Sequence, residues 1–78
     1  MTYKAVRNRC ILGEPDSTVL VSGVSYDEAL AMAIDKADRI TAKLQRISGE
    51  WRMEPHDEGA TIFYGEDAQE TFEVMEDA

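Results

Sequence analysis

The sequence predicts a two-layer α+β domain: one antiparallel sheet with a single long helix across one face, in the order β-β-α-β-β-β. Three observations lead there. Residues 26 to 47 repeat apolar side chains at helical spacing. The segments on either side are short β-branched and aromatic runs, broken by Gly, Pro and Asp. The chain has 78 residues, which is room for one core and predicts a single domain over 1–78.

Taken in order, "YKAVRNRCIL" (3–12) reads as a strand with two faces. Arg7 and Arg9 share one face with Tyr3 and Ile11, so the Val6, Cys10 and Leu12 side is expected to point inward. "GEPDS" (13–17) has turn chemistry. "TVLVSGV" (18–24) should pair back as a hairpin.

The helix starts at Ser25, which stands three residues before Glu28 in capping-box spacing. Its apolar stripe runs through Tyr26, Leu30, Ile34, Ile40, Thr41, Leu44 and Ile47, with Ala29, Ala33 and Ala37 along the centre. Small residues there predict close seating on a sheet. Acids lead and bases follow on the other face, which suits the helix dipole, and Asp35 and Arg39 have ion-pair spacing. Gly49 is the expected left-handed stop. Lys36, Arg39, Lys43 and Arg46 stabilise the helix end or, alternatively, form a basic patch for an acidic partner.

Three strands follow. "EWRMEPH" (50–56) contains Pro55, which removes a donor and predicts an edge strand. "DEG" (57–59) is a turn, "ATIFYG" (60–65) a strand, "EDAQ" (66–69) a turn and "ETFEVME" (70–76) the last strand.

Charge carries the functional reading. The net charge is −8. Residues 1 to 49 hold seven bases and six acids, whereas residues 50 to 78 hold ten acids against Arg52 alone. Such a field repels free nucleic acid and anionic membranes and attracts basic surfaces. No apolar run approaches the roughly 20 residues that cross a bilayer, and "MTYKAVRNRC" lacks the apolar core of a signal peptide. Cys10 is the only cysteine, which suits a reducing, cytoplasmic setting.

Catalysis has little to stand on. His56 and Cys10 fall in different elements, and "HDE" (56–58) has metal-ligand types without metal-ligand spacing. No enzyme activity, cofactor or metal is expected. Tyr3, Arg7 and Arg9 form a small basic-aromatic strip, a secondary protein-binding candidate. The overall charge has the wrong sign for direct nucleic-acid binding. The favoured site is the acidic run: Glu66, Asp67, Glu70 and Glu73, with Tyr64 as an aromatic anchor. Carboxylates on a rigid sheet would occupy lysine and arginine sites on a partner and compete with nucleic acid as a DNA mimic. The same acids also serve solubility.

A short, acidic chain of this element order resembles the small phage proteins that disable CRISPR surveillance complexes, the type I anti-CRISPR inhibitors. The likeness lies in size, charge and architecture over the whole chain. It implies an inhibitor, acting in a host cytoplasm, that binds a subunit of such a complex and blocks target DNA binding or nuclease recruitment. A monomer or weak homodimer is expected. The alternative is a structural or regulatory domain that homodimerises through a sheet edge.

Overall fold

The helix forms where the alanine stripe and the serine cap are written. In the computed structural model, which describes residues 1–77, α1 spans Tyr26–Gln45. Ser25 is its N-cap, and its hydroxyl accepts from the Glu28 amide at 3.2 Å. Ala29, Ala33 and Ala37 are fully buried, and Thr41 turns its hydroxyl back to the Ala37 carbonyl at 2.8 Å. Asp35 and Arg39 form the expected ion pair at 3.0 Å. The helix stops sooner than Gly49. Arg46 is the C-cap in right-handed geometry, and the Ile47 and Ser48 amides both donate to the Leu44 carbonyl. Gly49 therefore has no left-handed role. Ile47 lies beyond the last turn and is 79% exposed, so it leaves the stripe.

Five strands make one antiparallel sheet: β1 Tyr3–Ile11, β2 Glu14–Val24, β3 Trp51–His56, β4 Gly59–Tyr64 and β5 Asp67–Glu76. Their spatial order is β2-β1-β5-β4-β3. The first and last strands thus pair at the centre, with Tyr3 opposite Glu76. Pro55 lies on an edge strand, as its missing donor requires.

Residues paired across strands share a face, so the register assigns the two sides. The helix side carries Tyr3, Ala5, Arg7 and Arg9 of β1, Phe72 and Val74 of β5, Ala60 and Ile62 of β4, and Trp51 and Met53 of β3. Phe72 and Ile62 are the largest fully buried side chains, and each contributes about 2–3 kcal/mol by burial. The inward register of β1 is therefore the opposite of the one the sequence suggests. Cys10 and Leu12 are exposed. Val6 is buried, but on the outer face, between its neighbours Val19 and Glu73.

The turns also shift. The first hairpin closes at Leu12 and Gly13, with φ of 51° and 83°, so Ile11 faces Glu14 and the "EPDS" residues join β2. Two consecutive positive φ values match a type I′ turn, whose twist suits a two-residue hairpin. The last hairpin turns at Gly65 and Glu66, and Asp67 already belongs to β5.

The helix crosses the sheet diagonally. It starts beside Tyr3, whose ring meets Tyr26 edge-on at 5.3 Å, and ends at Trp51, whose carbonyl accepts from Gln45 at 3.0 Å. This diagonal leaves the hairpin end of β1 and β2 uncovered. The arginines on that corner's helix side find acids, and Arg7 also lies against the Phe72 ring.

Candidate functional site

The strands alternate in direction, so each element end belongs to one of two ends of the molecule. One end gathers the start of β1, the end of β2, the start of α1, the β3–β4 turn and the end of β5. The Tyr26 hydroxyl donates to the Asp57 carbonyl there at 2.9 Å, and the Val74 amide to the Glu58 carbonyl at 2.8 Å. The Asp77 amide donates to the Thr2 carbonyl, and the Asp77 carboxylate accepts from the Gly23 amide at 2.9 Å. Three acidic pairs distant in sequence meet at this end: Asp27 and Glu28, Asp57 and Glu58, Glu76 and Asp77. None of these six forms an ion pair among the described residues. The opposite end is mixed, with Glu14, Glu50, Glu66 and Asp67 beside Lys43, Arg46 and Arg52.

The acidic run of the last strand is distributed. Tyr64, Glu66 and Asp67 stay together at the mixed end: Tyr64 opposes Asp67, and its ring meets Trp51 edge-on at 4.9 Å. The Gly65 amide donates to the Glu50 carbonyl at 3.0 Å, adding that residue to the group. Glu70 and Glu73 point to opposite faces. Glu70 is on the helix side, half-buried, and accepts from the Arg7 guanidinium. Glu73 is on the outer face, opposite Gly59 in β4 and Val6 in β1.

The secondary candidates are internal partners. Arg7 lies 5.7 Å from the Phe72 ring centroid and pairs with Glu70; Arg9 pairs with Asp16 at 3.2 Å. Their strip with Tyr3 lies on the helix side of β1 and not on an outer strand face. Each charge is met by an acid on the adjacent strand, a neighbourly arrangement worth a few tenths of a kcal/mol or more.

The outer sheet face is uncovered by any element. It shows Val19 and Met75, both exposed, and Phe63 beneath the Arg52 guanidinium at 4.3 Å. Arg52 also pairs with Glu54 and donates to the Gly65 carbonyl. A groove of about 260 Å³ opens where β1 and β5 part, lined by Asn8, Arg9, Cys10, Ala68, Gln69, Glu70 and Thr71. Cys10 sits at this end and His56 at the other, so the two cannot form a nucleophile–base pair. Among the described residues, no three His, Cys, Asp or Glu side chains converge as a metal site, and no helix is long and apolar enough to cross a membrane.

The acidic end escaped the sequence reading because its pairs lie in three separate segments. The signal is nonetheless present. Each pair abuts an element terminus, and alternating strand directions send all three termini one way. No protein-family model, curated protein or solved structure matches the chain.

Proposed function

We propose that the chain is a non-catalytic protein-binding module that docks its acidic end on a basic surface of a nucleic-acid-handling complex. The single observation behind this reading is the meeting of three acidic pairs at one end of a rigid scaffold. Carboxylates held there fill the lysine and arginine sites that would otherwise grip phosphate, so nucleic acid is excluded. Opposite fields also steer the encounter and raise its rate. This is the mode of inhibition implied by the resemblance to anti-CRISPR proteins, and the partner would then be a subunit of a CRISPR surveillance complex in the cytoplasm. Tyr64, Glu66 and Asp67 at the mixed end form a weaker second contact in this reading.

The test is co-elution with a purified surveillance complex, together with target-DNA binding by that complex. Asp57→Asn, Glu58→Gln and Glu76→Gln remove charge without touching a bond, because these carboxylates hold no hydrogen bond or ion pair among the described residues. The triple variant should associate more slowly, most clearly at low ionic strength, where exposed charges are least screened. If the parent protein fails to co-elute even at low salt, or the triple variant inhibits as well as the parent, the proposal is wrong.

A further inference from the structure

We infer that β2 is a self-pairing edge, along which two copies of this chain join their sheets antiparallel about a two-fold axis at Thr18. The inference is independent of the acidic end and rests on the two rims of the sheet. An edge strand exposes unpaired amides and carbonyls, and proteins that stay monomeric guard such rims with charge, proline or brevity. β3 has all three guards: six residues, Pro55, and the Arg52–Glu54 ion pair. β2 spans eleven residues: Glu14, Pro15 and Asp16 guard its first end and a register irregularity lies beyond Val19, but Ser17, Thr18 and Val19 between them carry no charge, proline or bulge. In a chain with 31% charged residues and a net charge of −8, this short stretch is where two copies can meet strand to strand with no like charges directly opposed.

The register selects the groups that would pair. Ile11 and Glu14 close a two-residue hairpin and exchange the first pair of ladder bonds. Alternation then makes Arg9–Asp16 and Arg7–Thr18 hydrogen-bonded pairs. Pro15, Ser17 and Val19 are left with their backbone groups facing outward. Pro15 agrees with this assignment, since β1 asks no donor of it, and by the same lack it ends the ladder between copies, which is centred on Ser17 to Val19. Ser17 of one copy then faces Val19 of the second, and Val19 faces Ser17 of the second. Thr18 lies at the dyad opposite itself, a favourable cross-strand pair. Val19, 55% exposed in the single chain, gains a neighbour. The nearest strand, β1, brings Arg7 and Arg9, both already neutralised by Glu70 and Asp16. The acid-rich strand, β5, lies one strand further in, behind β1, and its Glu70 is the acid that Arg7 neutralises.

Sedimentation velocity across a concentration series tests the idea. The parent should shift from monomer to dimer as concentration rises, and more so at high salt, because screening relieves the repulsion between two acidic chains. Docking on a basic partner has the opposite salt dependence, so the two proposals fail separately. Thr18→Glu sets two carboxylates face to face at the dyad and should weaken association about tenfold or more. Amide exchange supplies a readout that needs no variant: Ser17 and Val19 should gain protection with concentration while Asp16 and Thr18 stay protected throughout. A parent that remains monomeric at high salt and high concentration, association unaffected by Thr18→Glu, or unprotected Ser17 and Val19 amides in the dimer would each overturn the inference.

Discussion

Gly59→Ala is the most demanding single test of the fold. Gly59 begins β4 with φ of 154°, a conformation that side-chain-bearing residues rarely adopt. A Cβ built there falls 1.7 Å from the Phe72 carbonyl oxygen and 2.8 Å from its carbon. Non-bonded atoms rest about 3.5 Å apart, so β4 or β5 must give by about 1.8 Å. That shift acts on the Phe72 backbone, where the side chain is fully buried against the core. The neighbouring Val74-to-Glu58 bond and the ladder beside Gly59 and Glu73 would loosen too. Two weakened hydrogen bonds cost about 1 kcal/mol each, and backbone strain adds about 1–2 kcal/mol. With some loss of packing at Phe72, the total is about 3–5 kcal/mol. A domain of 78 residues has about 4–12 kcal/mol of stability to lose. Urea unfolding followed by circular dichroism is the assay. With an m-value of about 1 kcal/mol/M, the midpoint should fall by about 3 M, or the variant should be unfolded in buffer. A midpoint within about 0.5 M of the parent would mean that the close approach at Gly59 is wrongly understood.

Two further substitutions probe the uncovered corner of the sheet. Leu12→Asn should stabilise by about 1 kcal/mol, since Leu12 is held left-handed at the type I′ turn and asparagine tolerates that region. Its side chain is 99% exposed, so nothing is lost; thermal melting should rise by about 4–8 °C, and no rise would contradict the turn assignment. Glu70→Ala should cost about 1–2 kcal/mol, because it strands the half-buried Arg7 guanidinium beside Phe72. A double-mutant cycle with Arg7→Ala should return a coupling above about 0.5 kcal/mol, and a value near zero would show that the pair adds nothing.

The order of elements was legible because each carries a local signal: the Ser25 cap, the alanine stripe, and Pro55 at an edge. The inward side of β1 was not legible. Arg7 and Arg9 look like an outer face until the strand order is known, because Glu70 lies far along the chain and becomes a neighbour only when β1 and β5 pair. Leu12 hid the first turn, since leucine gives no hint of a positive φ, while Pro15 and Asp16 drew attention past it. Gly49 looked like a helix stop, but the chain leaves α1 earlier, at Arg46. The acids between Glu66 and Asp77 lie within twelve residues of sequence, yet pleating sends Glu70 and Glu73 to opposite faces, and strand length carries Asp67 and Glu76 to opposite ends. A linear run of charge along a strand therefore does not make a patch; acids at element termini do.

The central pairing of β1 with β5 has a consequence for how the chain folds. The β1–β2 hairpin and the β3–β4–β5 meander each close over short loops and can form early. Joining them brings residue 3 to residue 76 and closes a loop of nearly the whole chain, which costs more entropy than any other pairing in the sheet. The step that completes the sheet is thus the least local one, and assembly is governed by the meeting of its two halves.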